Sequence, residues 1–227
     1  MKHCIVLASG SGMRFDADVP KQFVRVDGRM IIEYTLAACD CGVFDDMILV
    51  VAASYVEVMK DVIQKGNFTV PIKVIEGGSS RLESCARGVE AIEDDDGLVV
   101  IHNGVQPLVT RRTFDRCLKA LEAYPAVTSG LPCVYTVLET DEEGVLRRLA
   151  PRALCFGDLG PECFHLDIIR KALDLGKGED GLTNLTGIML KYALGDVKVV
   201  EGEFNNFKIT YQEDIDRFKH IMKGALK

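Results

Sequence analysis

Residues 7–23 read LASGSGMRFDADVPKQF, and they follow directly on the chain's first apolar run. Ser9, Gly10, Ser11 and Gly12 give up side-chain bulk, so a ligand can approach backbone N–H groups closely. Arg14 and Lys21 add two fixed positive charges to the same connection. Pro20 restricts the backbone immediately before the lysine and helps to aim it. Small residues with two cations suit a polyphosphate, whose charge such groups neutralise.

Three loop types compete for this stretch. A P-loop needs G-x-x-x-x-G-K-[ST], and no Lys-Ser or Lys-Thr pair follows these glycines. A dinucleotide fingerprint, G-x-G-x-x-G, starts well at Gly10 and Gly12 but meets Phe15 where the third glycine belongs. The third type uses the whole stretch, with small residues cradling phosphates and Arg14 and Lys21 converging on a triphosphate.

The elements that must hold this loop are legible as apolar runs. HCIVLA (3–8), MILVVAA (47–53), IKVIEG (72–77) and GLVVIH (97–102) have the continuous Val/Ile/Leu character of strands buried on both faces. Segments 30–41, 55–66, 81–93 and 111–124 carry apolar residues at helical spacing. The alternation predicts an α/β fold with a mostly parallel sheet. Residues 126–140 read as one long strand, 185–194 as a helix after the Gly-rich 174–184, and the chain closes on an amphipathic helix. Residues 135–156 break the rhythm with two short alternating runs around DEEG, which predicts a β-hairpin. It is either a surface hairpin or an arm that engages a partner subunit. With no linker or repeat, one domain over 1–227 is expected.

Composition narrows the function. The net charge of -7 and the absence of long basic runs argue against nucleic-acid or anionic-membrane binding. No apolar run approaches the ~18 residues of a membrane span, and a cytoplasmic location is the expectation. The eight cysteines form no C-x-x-C pair and lie in apolar surroundings, as buried reduced thiols do. His102 ends a Val/Ile strand and reads as structural, and EDDD (93–96) reads as a solvated helix end.

Further motifs follow the loop in order: EGGSSRLES (76–84), VIHNGVQP (100–107), PCVYT (132–136), APR (150–152), GPECF (160–164) and NNFKIT (205–210). Together with LASGSGMRF and PKQF, the set resembles the cytidylyltransferases that activate methylerythritol phosphate or ribitol 5-phosphate, over essentially the whole chain. The resemblance implies a Rossmann-like, GT-A-like nucleotidyltransferase fold in which the 135–156 arm makes a homodimer. It implies transfer of CMP from CTP to a small polyol or sugar phosphate, with pyrophosphate released and Mg²⁺ bridging the triphosphate. Arg14 and Lys21 would then stabilise the transition state. Leu7, Ala8, Ser9, Gly10 and Gly12 would lie along the nucleotide, and Gly78, Ser79 and Ser84 would read the base, supported by Arg81. Asn103, Gln106, Thr136, Arg152 and Lys208 fall at the acceptor positions, Thr136 reaching across the dimer.

The chain departs from the family pattern in its acceptor half. Asn103 and Gln106 stand where an aspartate and an arginine are usual, GPECF replaces Thr-Pro-Gln-x-Phe, and Asn184 replaces a common aspartate. Loss of one charge-assisted hydrogen bond would cost about 10- to 150-fold in binding. A different acceptor gripped by Arg111, Arg112, Arg147 or Arg148 is one consequence. A noncatalytic nucleotide-binding subunit is another. GVQP and GEFNNFKIT lean toward the ribitol-phosphate branch, with methylerythritol phosphate as the alternative.

Overall fold

The computed structural model describes residues 1–10, 19–178 and 184–225. The loop positions Gly12 and Arg14, and residues 179–183 of the Gly-rich segment, lie outside the described residues. The strands are β1 (Lys2–Ala8), β2 (Arg25–Val26), β3 (Arg29–Met30), β4 (Asp46–Val51), β5 (Ile72–Glu76), β6 (Leu98–Asn103), β7 (Ala126–Pro132), β8 (Val137–Thr140), β9 (Leu146–Ala150), β10 (Phe156–His165) and β11 (Val197–Glu201). The helices are α1 (Ile31–Cys39), α2 (Val56–Lys65), α3 (Arg81–Glu90), α4 (Arg111–Ala120), α5 (Leu166–Leu175), α6 (Leu185–Lys191) and α7 (Gln212–Ala225).

Seven strands form the main sheet in the order β11-β7-β10-β6-β1-β4-β5. All its pairings are parallel except the two made by β10, which runs antiparallel to both β6 and β7. Alternation along the central strands divides the core into two layers, because successive side chains point to opposite faces. Cys4, Val6 and Ala8 of β1 join Met47, Leu49 and Val51 beneath Leu36, Met59 and Phe114. Ile5, Ile48 and Val50 face the other way, toward Val89 of α3, Ile169 of α5 and Ile188 of α6. A smaller cluster of Val26, Ile31, Val105, Ile209 and Phe218 seats α7 beside the strand ends.

The chain enters the sheet at β1, proceeds to β4 and β5 on one side, then returns to β6 on the other. The order therefore reverses between β1 and β6. Ligands of open α/β sheets bind in the crevice at the carboxyl ends of such strands, which here are Ala8 and Asn103.

One expectation about elements is corrected. The long strand over 126–140 is interrupted: β7 stops at Pro132 and β8 begins at Val137, because β7 continues the main sheet whereas β8 pairs only with β9. Residues 156–165, rich in Gly, Pro and acid, form β10 in the middle of the sheet. The hairpin itself is present, with Leu138 opposite Leu149 in an antiparallel pair. All eight cysteines are free, five of them buried. Among the described residues no helix is long and apolar enough to cross a membrane.

Candidate active site

A cavity of about 620 Å³ opens at the reversal point between β1 and β6. Leu7, Ala8, Ser9, Gly10 and Lys21 line one side, Gly78, Ser79, Arg81 and Ser84 another, and Asn103 and Lys208 close it. The structure thus gathers residues from stretches of sequence that run from Leu7 to Lys208.

Gln22, which the sequence did not single out, shapes the first loop. Its amide is 3% exposed and donates to the Ala8 carbonyl at 2.7 Å and the Gly10 carbonyl at 2.8 Å. Lys21 precedes it in a short 3-10 turn closed by the Phe23 N–H on the Pro20 carbonyl, 2.8 Å. The Phe23 ring stacks on Tyr55 with centroids 3.7 Å apart, so both residues after the lysine anchor the turn. Only the position of Gln22, next to the PKQF lysine, could have signalled its role.

The second loop is locked by Ser84, a residue 1% exposed. Its hydroxyl gives its proton to the Ser80 carbonyl at 2.9 Å and accepts from the Gly78 N–H at 3.0 Å. Ser9 Oγ lies 2.8 Å away, which joins the two loops directly. Gly77 must lack a side chain, since a Cβ there would sit 2.6 Å from the Ser9 Cβ. Ser80 caps α3 by accepting from the Glu83 N–H at 3.0 Å. Glu83 in turn accepts from the Ser79 N–H and hydroxyl, both at 2.7 Å. These bonds, together with Arg87, hold the Glu83 carboxyl below its usual range.

Asn103 and Gln106 are neutral and tied to each other. The Asn103 amide donates to Gln106 Oε1 at 2.6 Å, and the Gln106 amide donates to the Leu159 carbonyl at 2.7 Å. Gln106 is 1% exposed and belongs to the wall of a smaller hollow of about 130 Å³, which shares Arg81, Asn103 and Lys208 with the main cavity. His102 supports the same turn. Its Nε2 lies 3.0 Å from the Gln106 carbonyl, which can only accept, so the proton sits on Nε2. Burial pushes the His102 pKa down to about 4.

Thr136 and Arg152 lie on the exposed arm and line neither cavity of their own chain; Arg152 donates to the Val134 carbonyl at 3.2 Å. The other arginines considered for an acceptor phosphate are also elsewhere. Arg147 donates to Asp141 and Arg148 to Glu139 along the arm. Arg111 and Arg112 line a separate open depression on α4.

The described residues do not fit a protein-held metal. They contain no group of three or more His, Cys, Asp or Glu side chains placed to hold an ion. The nearest carboxylates are committed, Glu162 to Arg81 and two backbone N–H groups, and Asp158 to Thr128 and the Gly160 N–H. The polar side chains that line the main cavity are hydroxyls, amides, two ammonium groups and the Arg81 guanidinium.

The family model for 2-C-methyl-D-erythritol 4-phosphate cytidylyltransferase, IspD, matches residues 2–224. The chain belongs to this family. A relative of that name from Thermobifida fusca is 31% identical over 92% of this chain and 88% of its own length. Another from Lachnospira eligens is 29% identical over 99% of this chain and 100% of its own. The crystal structure of 4-diphosphocytidyl-2C-methyl-D-erythritolsynthase from Anaerococcus prevotii superposes with a TM-score of 0.87 at 26% identity, covering 98% of this chain and 96% of that one. This cytidylyltransferase therefore has the α/β nucleotidyltransferase fold that its motifs implied. The sequence lean toward ribitol phosphate is not supported, since these relatives carry the methylerythritol name.

Proposed function

We propose that this enzyme transfers CMP from CTP to the phosphate of methylerythritol 4-phosphate and releases pyrophosphate. One observation carries the reading: Ser9, Lys21, Gly78, Ser84 and Lys208 share one cavity at the reversal point of the sheet. The acceptor phosphate oxygen forms a bond to the α-phosphorus of CTP, and the bond from that phosphorus to the bridging oxygen breaks. The leaving pyrophosphate takes the electron pair. An ionised phosphate needs no general base, so catalysis consists of in-line positioning and neutralisation of developing charge. Lys21, with Arg14 from the same connection, supplies that charge. The loops around Ser9 and Gly78 hold the nucleotide, with Ser79 and Arg81 at its edge. Lys208 and Asn103 face the acceptor, and Gln106 shapes the wall behind it.

The test offers the protein CTP, a divalent cation and a panel of polyol and sugar phosphates, and measures pyrophosphate. Release is expected with methylerythritol 4-phosphate. Turnover with ribitol 5-phosphate alone would replace the acceptor, and CTP binding without turnover on any of them would make the protein a noncatalytic nucleotide binder.

The reading extends to a homodimer made by the 135–156 arm. Tyr135 is 83% exposed and Leu154 80%, and the paired Leu138 and Leu149 are 59% and 58% exposed. Large apolar side chains left exposed together on one projection mark an interface, and two-fold pairing of identical arms is the commonest way to cover one. Arg152 and Thr136 then complete the acceptor site of the partner subunit. Leu138→Asp with Leu149→Asp is expected to give monomers by sedimentation and to lower turnover at least tenfold. A doubly substituted protein that remains dimeric would remove the arm from the interface.

A further inference from the structure

The interior of the site contains a carboxylate that the reaction scheme above does not use. Glu162 sits on β10 with its side chain 4% exposed. One oxygen, Oε2, accepts from Arg81 Nη2 at 2.6 Å. The other, Oε1, accepts from the Leu185 N–H at 2.7 Å and the Thr186 N–H at 3.1 Å, in the first turn of α6. Arg81 is the first residue of α3, directly after the Gly78–Ser80 loop, and it lines both cavities. Burial lowers the Arg81 pKa, but the attraction of Glu162 more than offsets it and holds the guanidinium charged.

An ionised carboxylate accepts on both oxygens at once, which no other side chain of its length can do. A glutamine would carry one acceptor and one donor group. It could serve either Arg81 or α6, but it would turn N–H against N–H on the other side. The buried charge therefore joins two elements more than a hundred residues apart in sequence, at Arg81 and Leu185, through β10. A charge buried in this way is poor value for stability alone.

We propose that Glu162 is a positioning residue for cytidylyl transfer: its carboxylate fixes the Arg81 guanidinium at the boundary of the two cavities and braces it against α6. It acts through Arg81 and touches neither substrate. The proposal rests on the nucleotide reading of the cavity, so its test uses CTP binding, which is measurable whether or not a given acceptor is turned over.

Glu162→Gln is expected to weaken CTP binding by titration calorimetry about tenfold, the cost of one charge-assisted hydrogen bond. The KM for CTP should rise by a similar factor with kcat changed less than threefold. The decisive comparison is the double variant. If Glu162 works only through Arg81, Arg81→Gln with Glu162→Gln binds CTP no more weakly than Arg81→Gln alone. A merely structural pair would lower the melting temperature and leave CTP affinity unchanged, and independent contributions would make the two losses multiply; either result overturns the proposal. Should Glu162→Gln fail to fold, Glu162→Asp keeps the charge but withdraws it by one methylene. It is expected to weaken CTP binding in the same direction, and unchanged affinity there also overturns the proposal. Wild-type protein that binds no CTP would defeat the nucleotide reading instead.

Discussion

Lys21→Ala is expected to lower kcat about a thousandfold while the protein unfolds at an unchanged temperature. The magnitude follows from removing one preorganised charge at a reacting phosphorus, which costs about 10²- to 10³-fold for a single donor and more for a cation at a transferring phosphoryl group. Stability should survive because other residues hold the turn. Gln22 clamps the Ala8 and Gly10 carbonyls, and Phe23 stacks on Tyr55. Single-turnover pyrophosphate release at saturating CTP separates the outcomes. A variant with unchanged kcat and raised KM would make Lys21 a ground-state binder rather than a stabiliser of the transition state.

Acid should open the site through His102. Its folded pKa of about 4 lies below the ordinary 6.5 because burial disfavours the charged ring. Above pH 6.5 the ring is neutral in both states and contributes no pH dependence. Between 6.5 and 4 the unfolded chain takes up the proton and the folded chain does not, so stability falls as pH falls. The full shift corresponds to about 3 kcal/mol, reached near pH 4. The ring is 1% exposed, so solvent does not soften this figure. His102→Gln keeps a donor for the Gln106 carbonyl and removes the titration. Urea unfolding from pH 8 to pH 4 is expected to show the wild type losing that much relative to the variant. Parallel curves would mean that His102 takes up its proton over the same pH range in the folded and the unfolded protein.

The first half of the site was legible because its signals are local. Small residues and cations lie within one loop at 7–23, and EGGSSRLES carries its own helix cap in Ser80. The central strands were legible because parallel strands covered on both faces read as unbroken apolar runs. Strand β10 hid for the opposite reason. It carries Gly157, Asp158, Gly160, Pro161 and Glu162, and its register with β7 shifts between Asp158 and Glu162, so no alternation survives. Glu162 becomes intelligible only beside Arg81, and Gln106 only beside the Leu159 carbonyl, 53 positions away. The interruption of the 126–140 run was equally invisible, because the residues stay strand-like while their pairing partners change.

The reversed strand has one more consequence. At one end β10 leaves the hairpin at Phe156, and six residues later it carries the carboxylate that accepts from Arg81. Strand β7 pairs with β10 on both sides of the register shift, at Phe156–Asp158 and again at Glu162–Phe164, whereas β6 borders it only from Glu162 onward. The hairpin and the Arg81–Glu162 pair thus belong to one continuous strand, with the irregular stretch 159–161 as the joint between them.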